Sequence, residues 1–314
     1  MNIVKLRANL ENNLIHHLNL ISPNNEFKKI YTYALLPPGK LFRPLLALSI
    51  HLDFAHNNLG FFNPNEPISL LASALEIHHA YTLIHDDLPS MDNDDYRRGK
   101  LSTHKKYGQW QAILAGDGLL NASYNLLARI DSPQTPKIIK IISHFLGPKG
   151  LIDGQVIDLS ENKKLFPHIL KMHELKTSRL IQCAIMASYL LSTDKPNWRT
   201  FIDLLQLGKH LGIVFQFLDD LSELNCKKIS KHESNINPWL NYLEPSYNYL
   251  QKSLDTIHHL TRKHHLDCFR SVINEYLHKN QKIISDGQLV IETHLKNQNI
   301  LMPIMNRLDI ISKA

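Results

Sequence analysis

Leu70, Ala74, Ile77, Tyr81, Ile84 and Leu88 follow one another in alternating steps of four and three, the stride of one apolar face of an α-helix. Leu207, Leu211, Val214, Leu218 and Leu221 repeat that stride farther along. Turn-rich breaks fall near 37–39, 57–67, 131–136, 147–150, 192–196 and 235–238, and the segments between them keep helical spacing. Glycine, the residue that most weakens helix interiors short of proline, is scarce at 12 in 314. The pattern predicts an all-α protein, a single domain over residues 1–314 built as a bundle of roughly ten or more helices.

Composition narrows the class. Hydrophobic residues make up 43 % of the chain, enough for a sizeable core and too many for wholesale disorder. The formal charge of +6 suits an anionic small molecule, an acidic membrane surface or nucleic acid, and selects none of them. Cys183, Cys226 and Cys268 are widely separated and form no CxxC pair, which fits a reducing cytoplasm better than a disulfide framework or a zinc ribbon. The first twenty residues lack a signal-peptide core, and no run approaches the ~20 apolar residues of a membrane span. A soluble cytoplasmic protein without a transmembrane segment is expected. Neither GxxxxGK[ST] nor GxGxxG occurs, which disfavours a nucleotide-dependent enzyme, and net charge alone does not argue for nucleic acid as a partner. The nineteen histidines are expected mostly at the surface.

The chemistry concentrates where the first apolar helix ends, in "IHDDLPSMDNDDYRRGK", residues 84–100. Asp86 and Asp87 sit at the helix end, Pro89 stops or bends the helix, and Asp92, Asp94 and Asp95 follow. His79 lies two turns before Asp86 on nearly the same face. The second apolar helix ends in "GIVFQFLDDLSE", where Asp219 and Glu223 share a face with Gln216, Gly212 and Gly208. The small residues below the carboxylates leave room either for a ligand or for a closely packed neighbouring helix. Carboxylates this crowded repel one another unless cations intervene. Mg²⁺ takes oxygen ligands, keeps several waters and typically shares one or two carboxylates with substrate phosphates. Two acidic helix ends facing one cavity therefore predict a multi-metal diphosphate site. Arg97, Arg98 and Lys100, with Lys40 and Arg43 of "PPGKLFRP", complete it as phosphate-binding cations.

These segments resemble the trans-polyprenyl diphosphate synthases, most closely the bacterial farnesyl diphosphate synthases (geranyltranstransferases). The first signature, DDxxxxD, stands as "DDLPSMD" at 86–92. "GKLFRP", "HAYTLIHDD", "STHKKYG", "AILAGDGLL", "GLIDGQVIDL", "KTSRLI" and "FQFLDD" follow the family's order from about residue 30 to 240. The resemblance implies an isoprenoid synthase-type helical bundle around a central cavity, usually a homodimer. It implies Mg²⁺, three ions with substrate bound, held by Asp86, Asp87, Asp92 and Asp219, with Glu223 in the second metal set. It implies that Arg97, Lys176, Thr177 and Gln216 hold the allylic diphosphate. Lys40, Arg43, His79 and Arg98 would hold isopentenyl diphosphate. The implied reaction condenses isopentenyl diphosphate with dimethylallyl or geranyl diphosphate, head to tail, to farnesyl diphosphate. Tyr81 and Thr82, below the first motif, would set chain length.

Departures from the family pattern leave alternatives open. The second signature, DDxxD, ends here in Glu223, and the following segment "LNCKKISKHESNINPW" is short, with Ser234 near where a lysine is expected and Lys227, Lys228 or Lys231 as substitutes. A catalytically weakened or regulatory paralogue, or a synthase of different product length, fits the same residues. His85 beside Asp86 also suggests a His-Asp metal phosphohydrolase, a reading that leaves the arginines and the second acidic helix unexplained.

Overall fold

The computed structural model describes residues 3–55, 63–160, 165–226, 228–229, 231–296 and 300–313. Most of the 57–67 break and Lys227 lie outside these residues. The chain divides into two compact units, Met1–Ile142 with Ala187–Lys195, and Ser143–Met186 with Pro196–Ala314.

The first unit begins with α1 (Ile3–Ile21), α2 (Phe27–Leu35), α3 (Phe42–Ala55) and α4 (Pro67–Asp86). A two-stranded hairpin, β1 (Tyr96–Arg97) and β2 (Lys100–Leu101), leads into α5 (Thr103–Tyr107), α6 (Gln109–Ala128) and α7 (Thr135–Leu146), whose last turn belongs to the second unit. Pro67 starts α4 in the first turn, where a missing amide hydrogen costs nothing. The predicted stripe from Leu70 to Leu88 is buried along its whole length. So are most of the helix's other positions, because α4 packs against α1, α2, α3 and α6. A helix apolar on all sides belongs at the centre of its unit. Close approach of α6 depends on Gly116, where an added Cβ would come 2.0 Å from His85 Nε2.

The hairpin was not expected from the sequence. Its two-residue turn needs positive φ at both central positions, here Arg98 at 54° and Gly99 at 76°. Asn-Gly is the usual signal for such a turn, and Arg-Gly does not announce it. Lys100 anchors the hairpin to α2 by donating to the carbonyls of Tyr33 (2.6 Å) and Leu36 (2.8 Å). These bonds give Lys100 a structural role in the unliganded chain.

The second unit contains α8 (Leu151–Leu159), α9 (Phe166–His173), a single π-helical turn (Glu174–Ser178) and α10 (Arg179–Leu191), the last residues of which belong to the first unit. There follow α11 (Trp198–Glu223), α12 (Lys231–Ile236), α13 (Pro238–Asn241), α14 (Leu243–Lys263), α15 (Asp267–Asp286), α16 (Gln288–His294) and α17 (Leu301–Lys313). Among the described residues the only strands are the two of the hairpin, as the all-α expectation requires. The core helix is α11, packed against α14, α15 and the π turn, with Leu207, Leu211, Val214, Leu218 and Leu221 fully buried. By length and composition α11 is the one described helix that could cross a membrane, but over half of its apolar window is buried inside the protein, as in a core helix. Gly208 and Gly212 serve close packing rather than a ligand. A Cβ at Gly212 would come 2.5 Å from Ser178 Cα, and one at Gly208 2.9 Å from Gln182 Cα.

Among the described residues five histidines are buried, His17, His78, His104, His173 and His210. Burial pushes His78 and His173 down to about 3, and His17 and His210 to about 4. These rings fold neutral, whereas the unfolded chain takes up protons near pH ~6.5. Their contribution is therefore complete above that pH and is lost as pH falls, down to about 4 for His17 and His210 and about 3 for His78 and His173. Each costs up to about 1.4 kcal/mol of stability per pH unit in that window. The urea midpoint should fall clearly between pH 7 and pH 5, and a midpoint constant across that range would contradict neutral burial of these rings.

Candidate active site

In the first unit, α4 delivers Asp86 and Asp87 at its C-terminal end, and the chain then folds back. The amide of Asp92 donates to the carbonyl of Asp86 at 2.9 Å, returning Asp92 to the helix end. Asp87 is buried, and its carboxylate accepts from Arg97 Nε at 2.8 Å and also from Arg97 Nη2. The same guanidinium reaches Asp94 at 2.7 Å. Burial pushes the Asp87 carboxyl above its ordinary range, and Arg97 pulls it back.

The neighbouring Arg98 turns to a different carboxylate. Its Nη2 lies 3.6 Å from Glu76, which is 3 % exposed and sits one helical turn before His79. Burial raises the Glu76 carboxyl, while Arg98 and Arg43 lower it. Gly39 lets this guanidinium lie against the loop before α3, since a Cβ there would come 3.0 Å from its central carbon. Arg43 is half-buried and Lys40 exposed. Burial, with Arg43 and Arg98 nearby, holds His79 well below its ordinary range, so the ring is neutral. Lys40, Arg43, His79 and Arg98 thus all belong to the first unit, and three of them share the Glu76 neighbourhood.

Tyr81 faces α6, buried between the rings of His78 (4.7 Å) and His85 (5.7 Å). Its hydroxyl is pushed up to about 12, first by burial. Thr82 donates to the carbonyl of His79 at 2.8 Å. His85 also points to α6, 3.1 Å from the carbonyl of Ile113. It is engaged with that helix rather than forming the His-Asp metal pair of a phosphohydrolase.

In the second unit, Lys176 and Thr177 lie on the π turn, a feature often found at functional sites. The turn is wedged between Gly212 of α11 and Gly154 of α8, where a Cβ would come 2.4 Å from the Lys176 amide nitrogen. Lys176 pairs with Asp158 of α8 at 2.5 Å. Thr177 donates to Gln216 Oε1 at 3.0 Å, and Gln216 donates onward to Asp220 Oδ1 at 2.8 Å. The neutral His173 faces the other Asp220 oxygen at 3.5 Å. Asp219 is half-buried and Glu223 exposed, one turn apart at the end of α11. Ser234 and Lys228 are exposed.

Among the described residues no three His, Cys, Asp or Glu side chains converge into a metal centre. The expected metal residues are all carboxylates, and a hard divalent ion there would complete its shell with diphosphate oxygens and water, as Mg²⁺ commonly does. The donor set therefore fits Mg²⁺ with substrate. The sequence reading missed Glu76, Asp158 and His173, and it named Asp94 in the acidic cluster without pairing it to Arg97. Only Glu76 carried a signal, its one-turn spacing from His79.

A family model described as polyprenyl synthetase matches residues 24–234. A farnesyl diphosphate synthase from Geobacillus stearothermophilus is 35 % identical over 223 residues, covering 68 % of this chain and 72 % of that protein. The crystal structure of a geranyltransferase from Legionella pneumophila superposes with a TM-score of 0.74 at 28 % identity, over 90 % of this chain and 96 % of that one. A geranyltransferase from Helicobacter pylori, complexed with magnesium and isoprenyl diphosphate, gives 0.69 at 25 % identity, over 86 % and 97 %. Sequence match, fold and the ordered motifs agree, and the chain belongs to the polyprenyl synthetase family.

Proposed function

We propose that this chain is a prenyltransferase that condenses isopentenyl diphosphate with dimethylallyl or geranyl diphosphate to farnesyl diphosphate. The observation that carries the reading is the pair of adjacent arginines at the first acidic motif, each held by its own buried carboxylate, Arg97 by Asp87 and Arg98 by Glu76. A surface turn has no need of two buried carboxylates aiming two guanidiniums. A diphosphate site does, because a planar fork set in place beforehand loses little freedom on binding.

The reading assigns Asp86, Asp87, Asp92, Asp219 and Glu223 to metal binding. Bound Mg²⁺ would stabilise negative charge on the departing diphosphate. Arg97, Lys176, Thr177 and Gln216 hold the allylic diphosphate, and in the unliganded chain Arg97 and Lys176 rest on Asp87 and Asp158. Exchange of those carboxylates for phosphate oxygens keeps each cation paired throughout. Lys40, Arg43 and Arg98 hold isopentenyl diphosphate. His79 stays neutral beside them, able to donate to an oxygen without adding charge. Ionisation of the allylic C–O bond leaves a carbocation that the isopentenyl double bond attacks, and the released diphosphate takes the proton. Cations aimed at the charge that develops on the leaving group act on the rate.

A homodimer is part of the proposal, supported by Trp110, Ile113 and Leu114 on α6, which are 60 %, 45 % and 50 % exposed. Three widely separated cysteines with no CxxC pair support a reducing compartment, the cytoplasm. The exposed Glu223 and Ser234 favour one second reading, a catalytically weakened or regulatory paralogue.

Incubation with Mg²⁺, labelled isopentenyl diphosphate and each allylic diphosphate, followed by product sizing, separates the two readings. Asp86→Ala and Asp219→Ala should each lower kcat by about a hundredfold or more with thermal unfolding unchanged, the scale of a lost charge-stabilising group. Glu223→Asp should be tolerated. Wild-type turnover in Asp86→Ala would sink the assignment, and a wild-type chain that binds diphosphates but forms no product would favour the paralogue.

Chain length supplies a separate test. Tyr81 lies five residues before Asp86, and Thr82 one turn before it at about 6 Å of helical rise. Tyr81→Ala should lengthen the product beyond farnesyl, and Thr82→Phe should shorten it to geranyl. Unchanged products from both would remove these residues from length control.

A further inference from the structure

The segment after the second acidic motif is where this chain departs most from the family pattern, and α13 occupies it with two buried side chains aimed at α11. Asn237 is 1 % exposed and caps α13 by accepting from the Trp239 amide at 2.9 Å. Its Nδ2 donates to the main-chain carbonyl of Asp220 at 2.8 Å. That carbonyl lies in the last turn of α11, where helix geometry leaves acceptors without intrahelical partners. Trp239, also 1 % exposed, donates from its indole Nε1 to the carbonyl of Phe217 at 2.7 Å. Its ring packs edge-on against Phe217 at 5.8 Å, and Phe217 packs likewise against His173 at 5.8 Å. His173 in turn faces the Asp220 carboxylate, which Gln216 holds from the other side. One small helix thus restrains the backbone of Phe217 and Asp220 directly and the Asp220 side chain through two rings.

We propose that Asn237 and Trp239 are positioning residues that clamp the carboxylate-bearing end of α11, presetting Asp219 and Glu223 for divalent-cation binding. The inference rests on the prenyltransferase reading for its purpose, though the clamp is a property of the chain itself. Packing alone would call for any large apolar residue at 239 and gives no reason for two side-chain donors directed at the main chain of the motif. Asp219 sits next to Asp220, so a backbone fixed at Phe217 and Asp220 leaves its carboxylate only its own rotamers to search. Without the clamp the last turn of α11 frays, and a cation must order it on binding. Ordering of that kind weakens apparent affinity for the ion and leaves the contacts to the substrates as they were.

The test uses the full chain with Trp239→Phe, which removes the indole donor and keeps an aromatic ring, and Asn237→Asp, which keeps the cap acceptor and removes the donor to Asp220. Hydrogen exchange on metal-free protein should quicken at the amides of 217–223 by about fivefold, the equivalent of one hydrogen bond of ~1 kcal/mol, while α14 and α15 exchange as before. The Mg²⁺ concentration for half-maximal turnover should rise by about the same factor, with KM for both diphosphates at saturating Mg²⁺ unchanged. Exchange that is unchanged, or that quickens uniformly across the second unit, would overturn the clamp. So would a Mg²⁺ response identical to wild type in both variants. If the wild-type chain makes no product at any Mg²⁺ concentration, the prenyltransferase reading fails, and the exchange measurement still decides the clamp.

Discussion

A carboxylate withdrawn from water must be given a cation or hydrogen-bond donors, and the candidate site residues within each unit are arranged by that constraint. Asp87 is buried where α4 ends, and Arg97 is drawn across the following loop to it. Glu76 is buried in the middle of α4, and Arg98, beside Arg97 in sequence, turns the opposite way to reach it. Asp158 takes Lys176 in the second unit, and Asp220 is met by an amide and a neutral imidazole. Arg97, Arg98 and Lys176, three of the cations expected to grip a diphosphate, are each held in advance by a carboxylate partner.

Close packing makes these pairings possible. The π turn that carries Lys176 and Thr177 lies against two helices that both lack a side chain at the contact, Gly154 and Gly212. A widened helical turn costs hydrogen-bond quality, and it persists where its surroundings over-determine it. The same holds for Arg98, whose positive φ belongs to a hairpin turn stabilised elsewhere, by Lys100 on the carbonyls of α2. In both places a locally unfavourable backbone directs a side chain of the candidate site, and well-packed neighbours supply the compensation.

The helices themselves were largely readable. The α4 and α11 stripes are buried along their length, because a face apolar at every third or fourth position has no favourable exposure to water. The breaks near 131–136, 147–150 and 192–196 fall between helices, since proline and glycine act through local backbone geometry alone. The hairpin was illegible because Arg-Gly carries no strong turn preference. The glycines of α11 could be read either as a ligand cavity or as a packing seam, and only the presence of Gln182 and Ser178 against them decided it.

For the site, residue type and spacing in the sequence singled out the carboxylates and cations proposed for the chemistry, because oxygen donors and guanidinium forks suit Mg²⁺ and phosphate wherever they are placed. Their pairings were decided by tertiary structure. Asp87 with Arg97 is a contact across ten residues, Glu76 with Arg98 across twenty-two, and Lys176 with Asp158 across eighteen. Asn237 meets Asp220 seventeen residues away, through a side chain and a carbonyl that no motif joins. Each of these pairs spans a break between one element and another, so no local pattern encodes it. They exist only once packing has removed water from one partner and left the other as the nearest group able to replace it.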